Sequence, residues 1–146
     1  TGGFCHLDAF MARRGLEELG VLPPEGGIPG APDETGPNPL FDLVFLENVG
    51  NLICTAQVDT GAHLDLALLS VPEGDDKPLK YPVMFAKADA VVVTKADYLD
   101  REDFDVEAVH RRVKEIRPDS RLFTVSARTG AGMADLARFL LDRIGI

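Results

Sequence analysis

The chain has 146 residues, of which 45% are hydrophobic and 27% are charged, and its formal net charge is −9. This length and composition predict one globular domain, residues 1–146, with a sizeable core. The acidic charge argues against a nucleic-acid partner, which would need a basic face, and no apolar run approaches the roughly 20 residues of a membrane-spanning helix.

The predicted elements alternate between helices and strands. Apolar residues recur at helical spacing in residues 7–19, and residues 21–39 are predicted to be a Pro/Gly-rich surface loop. Aliphatic runs predict buried strands at residues 41–47, 64–71, 88–94 and 121–125. Further helices are predicted at residues 78–85, 106–116 and 133–144. The alternation predicts an α/β fold with a doubly wound, mostly parallel sheet and ligands at the C-terminal ends of its strands.

The first predicted strand ends in an acid, and a glycine follows three residues later. In a nucleoside triphosphate site, the carboxylate of Glu47 would hold Mg²⁺ directly or through water, and the N–H of Gly50 would approach the terminal phosphate. An ExxG pair also occurs by chance in many proteins. Its significance here depends on two loops that follow it.

The next two strand ends carry residues suited to a guanine base. In the loop at residues 94–97 (TKAD), the carboxylate of Asp97 would accept hydrogen bonds from guanine N1–H and the exocyclic amine, while the Lys95 stem covers the base. Ser126 and Ala127 would bring a backbone N–H to the guanine carbonyl. Each loop alone also fits a solvated turn or a helix cap. Their order and spacing favour a G domain.

The phosphate-binding motif GxxxxGK[ST] does not occur in this sequence, and the first residue is threonine. We therefore expect the chain to be the C-terminal part of a longer protein, with a G domain that is truncated at its N-terminus.

Two cysteines and one histidine suggest a metal site. Cys5 and His6 are adjacent, and Cys54 follows shortly after Gly50. Thiolates and imidazole suit zinc and nickel, and a symmetric dimer would complete an otherwise three-ligand site by pooling two copies. The alternative is that each cysteine is a small buried apolar residue and His6 is a capping or surface group.

These segments together resemble the HypB family, GTPases of the SIMIBI class of P-loop NTPases that help to insert nickel into [NiFe]-hydrogenases. The resemblance rests on TGGFCHLDA, ENVGNLIC, LSVPEGDDKPLKYP, TKAD and VSARTG. It implies GTP and Mg²⁺ as cofactors. It also implies that the residues at the magnesium and phosphate side are Glu47 and Gly50, and that those at the base are Thr94, Lys95, Asp97, Ser126 and Ala127.

The resemblance further implies Ni²⁺ or Zn²⁺ bound at a homodimer interface by Cys5, His6 and Cys54. The implied partners are a second copy, a HypA-type accessory protein and a hydrogenase large-subunit precursor, in the cytoplasm. Because Cys54 lies on the predicted switch segment, we expect hydrolysis and nickel release to be coupled through residues 48–54.

The chain departs from the family pattern in ways that keep alternatives open. Thr94 stands where the family usually has asparagine, Phe4 where a glycine is common, and the P-loop lysine and hydroxyl have no counterpart. The isolated chain is therefore expected to be inactive as a GTPase. The alternatives are a UreG-like urease nickel chaperone and a non-catalytic fragment that binds metal or guanine.

A charged segment after the second predicted strand has two interpretations. Asp75, Asp76 and Lys77 form either a dimer or nucleotide contact or a charged turn that opens a helix.

Overall fold

The computed structural model describes residues 7–22, 41–50 and 52–145. The chain divides into two compact units, Thr1–Ala62 and His63–Ile146. Most of the predicted Pro/Gly-rich loop at residues 21–39 lies outside the described residues. Within the described ranges, no helix is long and apolar enough to cross a membrane.

The second unit is built on a parallel sheet. Strands β1 (Leu66–Ser70), β2 (Ala90–Thr94) and β3 (Arg121–Thr124) are adjacent in that order. Ser70 pairs with Thr94 and Val93 pairs with Thr124, so the C-terminal ends of the three strands lie along one edge. Three of the four predicted strands are thereby confirmed, as is the α/β fold with parallel pairing.

Helices connect these strands as the sequence predicts, with one difference. Helix α4 (Val106–Ile116) lies between β2 and β3, and α5 (Met133–Ile144) follows β3. The predicted helix at residues 78–85 is two short helices, α2 (Lys77–Lys80) and α3 (Pro82–Lys87). The break falls at a proline, which has no backbone N–H to continue the hydrogen-bonding of α2.

The two faces of the sheet are covered to different extents. One face packs against α3 and α4 and forms the core. On the other face, Phe123 of β3 contacts Phe139 of α5 with ring centroids 5.1 Å apart. Leu68 of β1 lies on that same face, through its register with Val92 and Phe123, and is 59% exposed. The buried core consists of Ala67, Leu69, Val71, Phe85, Ala88, Val91, Val93, Val109 and Val113.

The first unit contains helix α1 (Ala9–Glu18), two residues shorter at its N-terminus than predicted. The helix begins at Ala9 because the preceding Asp8 is its N-cap: the Asp8 carboxylate accepts a hydrogen bond from the N–H of Met11 at 2.8 Å.

The prediction of a strand at residues 41–47 is wrong for this structure. That segment has no assigned strand, and Phe45 is 72% exposed. An aliphatic run indicates that a segment favours burial, but a strand forms only where a neighbour satisfies its backbone hydrogen bonds. The described part of the chain supplies no such neighbour to these residues.

Candidate functional site

The loop after β2 has an unusual backbone. Lys95 has φ 58° and ψ 42°, and among the described residues it is the one non-glycine residue with positive φ. A side chain held in this left-handed region costs about 1–2 kcal/mol, and such residues concentrate at functional sites. The turn leads into a short 3₁₀ helix, Ala96–Tyr98, and the N–H of Ala96 donates to the carbonyl of Val125 at 3.0 Å. The loops after β2 and β3 are therefore joined.

Asp97 and Ser126 form the centre of the site. The hydroxyl of Ser126 donates to Oδ1 of Asp97 at 2.6 Å and accepts from the N–H of Thr129 at 3.2 Å. The Asp97 side chain is 13% exposed, whereas Ser126 is buried. The hydrogen bond from Ser126 is the main cause that lowers the pKa of Asp97. Asp97 is consequently an ionised hydrogen-bond acceptor at neutral pH.

The turn after Ser126 is fixed by two glycines. The N–H of Gly130 donates to the carbonyl of Ser126 at 2.8 Å. Gly130 and Gly132 have φ values of +82° and +70°. A Cβ on Gly132 would lie 2.1 Å from the carbonyl oxygen of Thr124, so only glycine fits there.

The remaining predicted base-site residues surround this pair. Thr94 is the last residue of β2 and is half-buried, while Lys95 is exposed. Ala127 is exposed, and the described residues offer its backbone N–H no hydrogen-bond partner. The loops after β2 and β3 thus present an ionised carboxylate, which accepts hydrogen bonds, and an unused N–H, which donates one. Together they suit a ligand that carries hydrogen-bond donors next to an acceptor.

The turn after β1 is held by α4. Nη1 of Arg112 donates to the carbonyl of Asp75 at 2.7 Å and lies 3.2 Å from its Oδ1. Oδ2 of Asp75 accepts from the N–H of Asp105 at 3.1 Å. Asp76 forms an ion pair with Lys80. Both acids are therefore engaged within the second unit, as expected for a charged turn that opens a helix.

In the first unit, the residues between Glu47 and Gly50 form a specific link. Oδ1 of Asn48 accepts from the N–H of Leu7 at 2.9 Å and from the N–H of Val49 at 2.8 Å. Its Nδ2 donates to the carbonyl of Leu7 at 3.2 Å. Glu47 and Gly50 themselves are exposed. The ExxG turn is thereby bonded to the segment that precedes α1.

The predicted metal ligands are only partly within the described structure. Cys5 and His6 lie outside the described residues. Cys54 is half-buried and immediately precedes a short 3₁₀ helix, Thr55–Gln57. The described ranges contain no group of three or more His, Cys, Asp or Glu side chains that could hold a metal ion. The proposed ligand set stays a prediction.

Sequence reasoning gave no individual role to two residues that now stand beside the predicted ones. Nη1 of Arg128 lies 3.7 Å from Oδ2 of Asp97. Asn48 makes the link to Leu7 described above. A signal existed for both, since Arg128 directly follows the Ser126-Ala127 pair and Asn48 lies inside the ExxG motif.

Comparison with known proteins identifies relatives over nearly the whole chain. Residues 1–124 match the family model described as the nucleotide-binding domain of CobW/HypB/UreG. The hydrogenase maturation factor HypB of Azotobacter chroococcum mcd 1 is 45% identical over 135 residues, which cover 92% of this chain and 39% of that protein. The hydrogenase/urease maturation factor HypB of Helicobacter pylori (strain J99) is 37% identical over 143 residues, covering 98% of this chain and 54% of that protein. The chain therefore spans about half, or less, of the length of these curated relatives.

Solved structures show the same relationship. The crystal structure of HypB from Archaeoglobus fulgidus aligns with a TM-score of 0.79 at 31% identity, covering 99% of this chain and 62% of that one. The structure of HypB from Helicobacter pylori in complex with nickel aligns with a TM-score of 0.78 at 36% identity, covering 99% and 61%. These findings confirm the resemblance to HypB and the predicted fold class. The chain belongs to the CobW/HypB/UreG family of nucleotide-binding domains.

Proposed function

We propose that the protein carrying this chain is a GTP-hydrolysing nickel metallochaperone that acts in the cytoplasm in the maturation of [NiFe]-hydrogenases. The observation that carries the proposal is the 2.6 Å hydrogen bond between Ser126 and Asp97, which joins the two loops predicted to bind guanine. The names of the HypB relatives support the hydrogenase client.

Base recognition would rest on complementary hydrogen bonding. Both carboxylate oxygens of Asp97 would accept from guanine N1–H and the exocyclic amine, and the N–H of Ala127 would donate to the guanine carbonyl. The stem of Lys95 would cover the base, and the hydroxyl of Thr94 is the polar group at the position where the family usually has asparagine. Adenine offers the opposite pattern and would leave these groups unpaired, which is the basis of the selectivity.

At the phosphate side we assign the predicted roles to Glu47 and Gly50. An exposed carboxylate oxygen is the kind of ligand that Mg²⁺ prefers, with phosphate oxygens and waters completing the shell. When bound, Mg²⁺ would neutralise charge that develops on the phosphates. The motif GxxxxGK[ST] is not present in this sequence, so hydrolysis is proposed for the whole protein. A GTPase assay on the full natural protein, beside residues 1–146, tests this proposal: turnover by the full protein supports it, and nucleotide binding without turnover by the full protein contradicts it.

Nickel is proposed as the cargo, held by Cys5, His6 and Cys54 with the same residues of a second copy. Thiolate and imidazole ligands suit nickel and also zinc. A Helicobacter pylori relative has been crystallised with nickel, which favours nickel. A HypA-type accessory protein and a hydrogenase large-subunit precursor are the proposed partners for delivery.

Nickel release would be coupled to hydrolysis through the ExxG turn. Asn48 is bonded to both backbone groups of Leu7, and Leu7 follows directly after His6 in the sequence. Loss of the terminal phosphate moves such switch turns. A shift of Asn48 would therefore be transmitted through Leu7 to the proposed ligands Cys5 and His6. Cys54, the third proposed ligand, follows Gly50 in the sequence.

A nickel titration tests the cargo. The full natural protein and its Cys54→Ala variant would be titrated with Ni²⁺ while thiolate-to-nickel charge-transfer absorbance is recorded. A saturable band that the variant loses supports Cys54 as a ligand. A band of equal strength in the variant removes Cys54 from the site, and no band with either GTP analogue or GDP contradicts the nickel cargo.

A second client, urease, is favoured by one observation. The Helicobacter relatives are named hydrogenase/urease maturation factors. Affinity capture from cells that contain both precursors distinguishes the clients, because a hydrogenase maturation factor retains the hydrogenase large subunit and a urease factor retains urease subunits.

A further inference from the structure

The two carboxylate oxygens of Asp97 have different partners. Oδ1 accepts the short hydrogen bond from Ser126 at 2.6 Å. Oδ2 faces Nη1 of Arg128 at 3.7 Å, and the Arg128 side chain is 74% exposed. One oxygen is therefore fixed by a buried hydroxyl, while the other is paired with a cation that can move into solvent.

This difference matters for the base that the site selects. Guanine and hypoxanthine differ only by the exocyclic amine at C2, which in the proposed site would donate to Asp97. A site rejects the base that lacks a donor because its own acceptor is then left unpaired and poorly solvated. With Arg128 beside it, Oδ2 has another partner when the amine is missing.

We propose that Arg128 makes this site accept hypoxanthine nucleotides, IDP and ITP, alongside guanine nucleotides. The inference rests on the proposed function, because it requires that Asp97 bind the base. When guanine is bound, its amine occupies Oδ2 and Arg128 withdraws into solvent. The withdrawal costs little, since exposed ion pairs contribute little to stability. When hypoxanthine is bound, Arg128 stays beside Oδ2 as its charge partner, so that the oxygen is not left unpaired where the amine is missing.

A second arginine provides a matched control. After the Ser126 hydrogen bond, the positive charges of Arg128 and Arg101 both contribute to the lowered pKa of Asp97. Of these two cations, Arg128 is the one within ion-pair distance of the carboxylate. Removing either one changes the local charge equally, but only the loss of Arg128 removes the alternative partner of Oδ2.

The test measures dissociation constants for GDP and IDP by isothermal titration calorimetry, using the full natural protein and its Arg128→Ala, Arg101→Ala and Arg128→Lys variants. We expect a small preference for GDP in the unaltered protein. The ratio of the IDP constant to the GDP constant should rise about three- to tenfold in Arg128→Ala. It should stay near the original value in Arg101→Ala and be largely restored in Arg128→Lys.

Two results overturn the inference and leave the proposed function standing: an unchanged ratio in Arg128→Ala, or an equal rise in Arg101→Ala, with GDP binding retained in both cases. A protein that binds neither nucleotide overturns the proposed function as well. Circular dichroism of each variant shows that the exposed substitutions leave the fold intact.

Discussion

Gly132 lies where the chain returns from the Ser126 turn to the end of β3. Its φ is positive, and a Cβ at this position would lie 2.1 Å from the Thr124 carbonyl oxygen, which leaves no room for a side chain. The backbone of this turn orients Ser126 and, through it, Asp97. The candidate base site therefore requires glycine at position 132.

We predict that Gly132→Ala destabilises the protein by at least about 3 kcal/mol, from the left-handed backbone together with the clash. Gly130→Ala is the matched control, because Gly130 also has positive φ but open space around its Cβ position. It should cost only roughly 1–2 kcal/mol. Urea unfolding of the two variants measures the difference, and equal losses would contradict the close approach.

Ser126 controls the titration of Asp97. Because the pKa of Asp97 is lowered in the folded protein, mainly by Ser126, its stabilising contribution is present above the ordinary aspartate pKa and is lost as the pH falls through the lowered value. We predict that Ser126→Ala raises the pKa of Asp97 toward its ordinary value, so that this contribution becomes smaller and its remainder is lost at a higher pH.

The pH midpoint of the Asp97 titration is measured by NMR, from the chemical shift of the Asp97 carboxyl carbon as the pH is lowered. Ser120→Ala is the control, since Ser120 is equally buried but its hydroxyl donates to the carbonyl of Ala88 at 3.4 Å. An Asp97 midpoint that does not move in Ser126→Ala would show that the hydrogen bond is not the main cause.

At the scale of elements, Asn48 connects the ExxG turn to the start of α1 with two hydrogen bonds to Leu7, and a third, from the N–H of Val49, lies within the turn itself. We predict that Asn48→Ala destabilises the protein by about 1–2 kcal/mol, because the Leu7 backbone groups lose their partner. Hydrogen exchange of the Leu7 amide should become faster. Chemical denaturation and exchange mass spectrometry measure the two effects.

Asn48→Asp provides the comparison for this prediction. It keeps an acceptor for the N–H groups of Leu7 and Val49, but places a second oxygen opposite the Leu7 carbonyl. In this variant the Leu7 N–H should therefore lose only part of its protection against hydrogen exchange. Unchanged exchange at Leu7 in Asn48→Ala would mean that the turn and α1 are not linked.

The elements differ in how well the sequence predicts them, for physical reasons. The prediction of α4 is accurate because its apolar residues recur at helical spacing, and that of β2 because its continuous aliphatic run is buried at every position but the last. The prediction of β3 differs from the structure by one residue at its C-terminal end. Residues 41–47 have an equally apolar sequence but no strand, since strand formation depends on a neighbour elsewhere in the chain. Helix 78–85 is divided at Pro82, a break that its apolar spacing alone did not indicate.

The candidate site was predictable only where the topology determines it. Parallel strands bring their C-terminal ends to one edge, so the proximity of Asp97 and Ser126 follows from the order of elements. The contacts of Arg128 with Asp97 and of Arg112 with Asp75 depend on side-chain conformations across loops. Position in the sequence places Arg128 next to the Ser126-Ala127 pair, but it carries no information on which atoms these arginine side chains contact.

At the scale of the molecule, large apolar side chains remain exposed beside a net charge of −9. They include Phe45, Leu68, Leu79 and Val83. We predict that residues 1–146 self-associate, and that association strengthens as salt screens the repulsion between like-charged copies. Sedimentation velocity over a range of protein and salt concentrations measures this. A monomer at all concentrations with a sharp cooperative melting transition would contradict it.

The link between Asn48 and Leu7 also has a consequence for how the sequence can vary. It joins positions 41 residues apart and so closes a long loop that includes the Pro/Gly-rich stretch at residues 21–39. The entropy cost of closing a flexible loop grows only with the logarithm of its length, by about 0.6 kcal/mol for each doubling. Insertions in that stretch are therefore inexpensive as long as the Asn48 contacts are retained. Length differences among relatives should accumulate there, and not in the ExxG turn.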